Sequence, residues 1–154
     1  MCPRLGVRPG AGARGWCCAA SDDVPATTYH VPVMRDEVVS RLVTEPSGVY
    51  LDATLGGGGH SAALLACIGP SGGHLIGTDR DPDALRCAKA RLQSYTALSV
   101  PQATLLQATF ATLPAMVPTT LRALGRGSGD SALLDGILLD LGVSSHQVLS
   151  VRTH

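Results

Sequence analysis

A run of four glycines joins two apolar segments, and this pattern can bind the phosphate or nucleoside part of a ligand. The glycines are residues 56–59; a buried strand is predicted before them at 49–54, and a helix after them from about 62 to 68. Glycines at the end of a strand let the backbone turn tightly and approach a ligand closely. The helix that follows directs its first amides and the positive end of its dipole at the same place.

A carboxylate follows the glycines at a spacing typical of a nucleoside site. Asp79 ends the next predicted strand, residues 74–79, about twenty residues after the loop. In a nucleotide-binding α/β fold, an acid at this place accepts hydrogen bonds from a ribose. A structural turn at the glycines and a helix-capping or surface role for Asp79 are the alternatives. The two features together, at this spacing, favour the nucleoside site.

The loop alone does not identify the ligand. Gly57, Gly59 and Ala62 fit the dinucleotide pattern G-x-G-x-x-G/A, which would indicate NAD. Two acids favour S-adenosylmethionine instead: Asp52 lies inside the first predicted strand, and Asp140 ends the fourth, before the segment LGVSS. In a doubly wound sheet that edge faces the ligand crevice. Both cofactors stay open on this evidence.

The elements that must position these residues alternate between strand and helix. Apolar residues at helical spacing predict an amphipathic helix over residues 34–43, and Asp81 with Pro82 provides the N-cap and first-turn proline of a helix reaching about residue 92. Strands are predicted at 103–108 and 136–140, with a helix over 113–124 between them. This order predicts an α/β fold with a parallel sheet. Because the sequence stops soon after the fourth strand, we expect an incomplete doubly wound sheet in a truncated chain.

Four segments occur in an order and spacing typical of one enzyme family. They are HVPVM from His30, followed by EV; DATLGGGGHS from Asp52; DRDP from Asp79; and DGILLDLGVSS from Asp135. Together they resemble the RsmH (MraW) family of ribosomal RNA cytosine-N4 methyltransferases over roughly residues 29–147. The resemblance implies a Rossmann-like, S-adenosylmethionine-dependent methyltransferase acting on small-subunit ribosomal RNA.

The same resemblance implies a set of cofactor contacts. These are Gly58, Gly59, His60, Asp79, Phe110, Asp140 and Gln147. In the family's arrangement Asp79 would hold the ribose and Phe110 would lie against the adenine, while Asp140 and Gln147 would close the site. The residues alone indicate the loop, Asp79 and Asp140. Without the family, Phe110 could equally be a core aromatic and Gln147 a solvated amide. His60 is interpreted as part of the loop wall and not as a metal ligand; we predict no metal, and no catalytic residue is identified.

Composition limits what this chain does by itself. It has 154 residues, with 12 Lys plus Arg against 12 Asp plus Glu, and aromatic residues make up 3%. Equal numbers of acidic and basic residues do not indicate the basic surface that binds nucleic acid, so most of the RNA-binding surface is expected elsewhere. No apolar run approaches the roughly 20 residues that span a bilayer, so no membrane association is expected.

The chain divides by composition into three parts. Residues 1–28 carry Arg4, Arg8 and Arg14 as their only charges before Asp22, which favours either a mitochondrial or chloroplast transit peptide or a disordered extension of a cytoplasmic protein. Residues 29–147 are expected to form the N-terminal part of a methyltransferase domain. Residues 148–154 leave the family pattern and form a divergent tail.

Three functions therefore remain open at the level of sequence. The first is S-adenosylmethionine-dependent methyl transfer to a cytosine of small-subunit ribosomal RNA, by a chain that binds cofactor but does not methylate RNA alone. The second is an NAD-dependent oxidoreductase fragment. The third is a non-catalytic remnant or interaction module.

Overall fold

The structure is a computed structural model that describes residues 32–96, 102–126 and 133–142. The predictions for residues 1–28, for Gln147 and for the tail 148–154 lie outside the described residues. The described helices are α1 Arg35–Leu42, α2 Gly59–Ile68, α3 Pro82–Arg91, the short α4 Gln93–Thr96 and α5 Leu113–Ala123. The strands are β1 Val49–Asp52, β2 His74–Asp79, β3 Ala103–Gln107 and β4 Gly136–Leu138.

The four described strands form one parallel sheet in the order β3-β2-β1-β4. Helices cover both of its faces, which confirms the predicted α/β, doubly wound architecture. Side chains alternate along β1: Tyr50 packs in the cluster that contains residues of α1, α2 and α3, while Val49 and Leu51 pack with Val117 and Leu121 of α5. Both clusters consist of hydrophobic residues, so the sheet is stabilised by burial on each side.

The strand order places a switch point at β1. From β1 the chain proceeds to β2 and β3 on one side, and it then returns to place β4 on the other side of β1. In parallel sheets the loops that leave the carboxyl ends of the strands diverge at such a point and open a crevice. The candidate residues that follow β1, β2, β3 and β4 therefore meet at one edge of the sheet.

The element boundaries differ from the predicted ones at this edge. Helix α2 begins at Gly59, about three residues before the predicted start, because the Ala62 amide already donates to the Gly58 carbonyl at 2.9 Å. Strand β4 ends at Leu138 and not at Asp140, because the Asp140 amide donates to the Thr54 side chain and leaves the ladder. Helix α4 was not predicted. Among the described residues, no helix has the length and apolar character needed to cross a membrane.

Candidate functional site

A cavity of about 750 Å³ lies at the carboxyl edge of the sheet. Its size falls in the range of about 300–1,000 Å³ that small-molecule sites occupy. The lining comes from the loops that follow all four strands and from the segment that precedes α1. The lining residues are Pro32, Val33, Ala53, Thr54, Leu55, Gly56, Gly57, Gly59, His60, Asp79, Arg80, Asp81, Ala84, Ala108, Thr109, Phe110, Ala111, Asp140, Leu141 and Gly142.

The glycine loop needs glycine for two separate reasons. Gly56 and Gly58 have φ angles of +50° and +76°, in the left-handed region that disfavours residues with a Cβ. Gly58 also packs closely on α3, since an added Cβ would lie 3.3 Å from Ala88. Gly56, Gly57 and Gly59 line the cavity, whereas Gly58 is buried outside its lining. The loop therefore presents backbone to the cavity, and the positive end of the α2 dipole lies there.

Asp79 organises the loop as well as lining the cavity. Its Oδ2 accepts a hydrogen bond from the Gly56 amide at 2.8 Å, and its Oδ1 accepts from the Asp81 amide at 3.0 Å. The sequence left a turn or capping role as the alternative to ribose binding, and the structure shows that Asp79 does stabilise the turn. A carboxylate offers about four lone-pair positions. Asp79 can thus still accept hydrogen bonds from a ligand in the cavity.

A buried carboxylate ties the start of the loop to helix α2. Asp52 is 1% exposed; its Oδ2 accepts from the Ser61 hydroxyl at 2.6 Å, and its Oδ1 accepts from the Thr54 amide at 3.1 Å. Burial raises the pKa of Asp52 above its usual range, and the hydrogen bonds from Ser61 and Thr54 oppose that rise. Asp52 thus stabilises the loop by its hydrogen bonds, although it does not itself line the cavity.

At the β4 side of the cavity, Asp140 and His60 face each other. The Asp140 amide donates to Thr54 Oγ1 at 2.8 Å, which joins the segment after β4 to the loop after β1. His60 is 8% exposed, and its Nδ1 lies 3.9 Å from Asp140 Oδ2. Its Nε2 lies 3.3 Å from the carbonyl oxygen of Val33, in the segment before α1.

The structure brings most of the predicted site residues to this cavity. Gly59, His60, Asp79, Phe110 and Asp140 all line it. Phe110 is 55% exposed, so it is not the core aromatic that the sequence left open as an alternative. Gly58 adjoins the lining, and Gln147 lies outside the described residues. The cofactor contacts assigned to these residues stay predictions.

Four of the residues that shape the site were not among the predicted site residues. Pro32 and Val33 form a wall of the cavity, Thr54 positions Asp140, and Ser61 holds Asp52. Thr54 lies two residues after Asp52, a spacing at which an aspartate side chain commonly accepts from a backbone amide, as Asp52 Oδ1 does from the Thr54 amide. No local signal indicates that Ser61 would be fully buried, because that depends on how α2 packs on the sheet.

The charges of the lining residues are mostly negative. Asp79, Asp81 and Asp140 contribute carboxylates, and Arg80 contributes a guanidinium. These carboxylates repel an anionic group of a ligand and weaken its binding, whereas they attract a cationic group and strengthen its binding. Among the described residues, no group of three or more His, Cys, Asp or Glu side chains is placed to hold a metal ion.

Known proteins similar to this chain were found by sequence. Residues 27–152 match the profile of the MraW methylase family. Ribosomal RNA small subunit methyltransferase H of Heliobacterium mobile is 42% identical over 120 residues, which cover 78% of this chain and 34% of that protein. The proteins of the same name from Trichlorobacter lovleyi and Pelobacter propionicus are 46% identical over 120 residues and 44% identical over 123 residues. Those alignments cover 78% and 80% of this chain, and 34% and 35% of the two relatives. The chain thus spans about a third of the length of these relatives.

Proposed function

The chain belongs to the MraW methylase family, and on that premise we propose that it carries the S-adenosylmethionine-binding part of a ribosomal RNA cytosine-N4 methyltransferase. The observation that carries the proposal is the single cavity in which the glycine loop, the start of α2 and Asp79 meet. The relatives that share this segment are named as small-subunit ribosomal RNA methyltransferases. The RNA substrate and the cytosine are the parts of the proposal that extend from those relatives to this chain.

The residues of the cavity fit S-adenosylmethionine better than they fit NAD. S-adenosylmethionine carries a positive sulfonium, while NAD carries a negatively charged pyrophosphate. The three carboxylates of the lining, with one guanidinium among them, favour the cationic ligand. Gly56 and Gly57 leave room for close approach of a ligand, and the half-exposed ring of Phe110 offers an apolar surface for a nucleobase.

In this proposal each part of the cavity binds a different part of the ligand. Asp79 accepts hydrogen bonds from the ribose hydroxyls, with Phe110 against the base beyond the end of β3. The amides that begin α2 and the carboxylate of Asp140 lie towards the amino-acid end. When bound, S-adenosylmethionine would supply an electrophilic methyl group. The exocyclic amine of cytosine is a weak nucleophile because its lone pair is delocalised into the ring, so the chain's residues would contribute mainly by positioning.

The test is calorimetric titration of this chain with S-adenosylhomocysteine, with NAD as the competing ligand. We expect saturable binding of S-adenosylhomocysteine and weaker or no binding of NAD. Asp79→Ala should weaken binding at least tenfold, about 1.4 kcal/mol, since it removes a charged acceptor for the ribose. Asp79→Asn keeps the shape and one acceptor oxygen, so its affinity for S-adenosylhomocysteine should lie between that of the unaltered chain and that of Asp79→Ala.

A control separates the ribose contact from a general effect on the fold. Asp83→Ala removes an exposed carboxylate of the first turn of α3 that does not line the cavity. It should bind as the unaltered chain does, and circular dichroism should show that every variant is folded. Tighter binding of NAD, or no binding of S-adenosylhomocysteine by a folded chain, would contradict the proposed cofactor.

The proposed RNA substrate requires surface beyond the described residues. The chain has no net charge at neutral pH, and nucleic-acid affinity rests largely on cationic contacts to phosphate. The proposal therefore assigns cofactor binding to this chain and expects no methylation of ribosomal RNA by the purified chain alone. The transit-peptide interpretation of residues 1–28, with a mitochondrial or chloroplast location, stays a prediction.

A further inference from the structure

Residues 32–34, here called the strap, border the cavity ahead of α1. Pro32 and Val33 line the cavity, and Met34 is the N-cap of α1. The strap lies in neither a helix nor a strand, whereas the rest of the lining comes from the loops that follow the strands. Irregular segments of this kind move more readily than the elements they connect. The strap is therefore the part of the cavity wall that can change its position while the sheet stays intact.

The strap packs on Gly59, the first residue of α2. A Cβ at residue 59 would clash with Pro32 Cγ and would lie 3.0 Å from Pro32 Cδ. The backbone of Gly59 does not itself require glycine, because its φ angle lies outside the left-handed region. Glycine at this position therefore leaves the space that Pro32 occupies, and it sets how closely the strap approaches α2.

The strap is held weakly and against strain. His60 Nε2 lies 3.3 Å from the Val33 carbonyl oxygen, and burial adds little, because the side chains of Val33 and Met34 are 65% and 62% exposed. Met34 has a φ angle of +55°, and no other non-glycine residue in the described part of the chain has a positive φ. The left-handed region is unfavourable for a residue with a Cβ. Residues in such conformations are frequent at ligand clamps and switch regions.

We propose that the strap closes over the ligand in the cavity and controls the release of that ligand. The inference rests on the proposed function and deepens it. The strain at Met34 opposes the few contacts that hold the strap, so the closed and open arrangements are close in free energy. A ligand that touches Pro32 and Val33 gains those contacts only in the closed arrangement and shifts the equilibrium towards it. Gly59, through the space it leaves, and Met34, through its backbone, are positioning residues of the strap.

Proteolysis of the strap measures whether it closes. Elastase, which cleaves after small apolar residues, is added to the folded chain, and mass spectrometry follows cleavage of the bond after Val33. Saturating S-adenosylhomocysteine should slow this cleavage about tenfold or more, since a protease cuts the open form of a segment. An unchanged cleavage rate with the ligand bound would show that the strap is a fixed wall and would overturn the inference.

Gly59→Ala should displace the strap from α2. We expect it to speed the release of S-adenosylhomocysteine about tenfold in stopped-flow measurements, because lost contacts act mainly on the dissociation rate. Gly69→Ala is the matched control, since it adds a methyl group at the other end of α2, 2.9 Å from the side-chain oxygen of Gln102 and outside the cavity lining. Its release rate should equal that of the unaltered chain.

A double variant separates displacement of the strap from a direct effect of the added methyl group on the ligand. Pro32→Ala removes the Cγ and Cδ atoms that crowd residue 59. In the Pro32→Ala background, Gly59→Ala should therefore speed release little further, because the two substitutions act on one contact. Fully additive effects of the two substitutions would overturn the inference.

Two substitutions at Met34 test the strained backbone. Met34→Gly removes the side chain and relieves the strain at positive φ, whereas Met34→Ala removes the side chain beyond Cβ and keeps the strain. The closed strap should be more stable in Met34→Gly, so that variant should release S-adenosylhomocysteine about threefold or more slowly than Met34→Ala does. Equal release rates would overturn the role given to Met34.

Cleavage of the ligand-free chain separates this inference from the proposed function. Without ligand, Gly59→Ala should raise the rate of cleavage after Val33, and Gly69→Ala should leave it unchanged. If the folded chain does not bind S-adenosylhomocysteine, the proposed cofactor is wrong, and the comparison of the ligand-free variants still decides whether Gly59 holds the strap. Equal cleavage of Gly59→Ala and the unaltered chain would overturn the inference.

Discussion

The hydrogen bond between Ser61 and Asp52 gives the sharpest test of how the loop is held. Both side chains are buried, at 0% and 1% exposure, and the Ser61 hydroxyl donates to Asp52 Oδ2 at 2.6 Å. Ser61→Ala removes the hydroxyl and leaves that carboxylate oxygen without its donor. Loss of a hydrogen bond to a charged group costs about 1.5–3 kcal/mol. For a chain of this size, a loss of about 2 kcal/mol should lower the melting temperature by about 4–8 °C.

The loss of stability caused by Ser61→Ala should depend on pH in a defined direction. Burial raises the pKa of Asp52 in the folded chain above its value in the unfolded chain. Between the two pKa values the folded state binds the proton more tightly, so the free energy of unfolding falls as pH rises through that window. Ser61→Ala removes an interaction that favours the charged form, so it raises the folded-state pKa further. The deficit of the variant should therefore be largest at neutral pH and shrink as pH falls towards the range where Asp52 is protonated.

Thermal denaturation monitored by circular dichroism, at a series of pH values, measures both effects. Ser40→Ala is the matched control, because Ser40 is an exposed helical serine whose hydroxyl donates to a backbone carbonyl of its own helix. It should change the free energy of unfolding by less than about 0.5 kcal/mol at every pH. A deficit for Ser61→Ala that is the same at all pH values would refute the role of the charged Asp52, and no deficit would refute the buried hydrogen bond.

Two further substitutions test the loop and its link to β4. Gly58→Ala and Gly72→Ala both add a methyl group at a positive φ, of +76° and +78°, but only Gly58 has neighbours within 4 Å, on α3. Backbone strain should lower the free energy of unfolding of both variants by about 1–2 kcal/mol. Gly58→Ala should lose at least about 1 kcal/mol more, because its added methyl group is overpacked against α3. Equal losses in chemical denaturation would contradict the close packing on α3. Thr54→Val keeps the side-chain shape but removes the acceptor of the Asp140 amide. That amide should then exchange its hydrogen faster by NMR, and an unchanged rate would show that the bond does not hold the segment after β4.

Much of the fold followed from local patterns. The bounds of β2 were predicted as the structure has them, and α3 begins with Asp81 as its N-cap, the side chain of which accepts from the Asp83 amide. These predictions succeeded because strand alternation and helix capping depend on residues that are close in the chain. Local patterns are less informative at the carboxyl edge, where β4 was predicted two residues too long. There the Asp140 amide bonds to Thr54, a partner 86 residues away in the chain.

The sequence by itself determined the chemistry available to the site. It provided the glycines of the loop, Asp79 at the end of β2 and Asp140 beyond β4, and hence the prediction of a nucleoside site on an α/β fold. Only the tertiary structure decided which of these groups share a space. The strand order places β1 between β2 and β4, so Asp79 and Asp140 line the same cavity although they lie on different loops. The pairing of His60 with Val33 and Asp140 depends on contacts between distant segments, because such contacts form only when the sheet and the helices on its faces have packed.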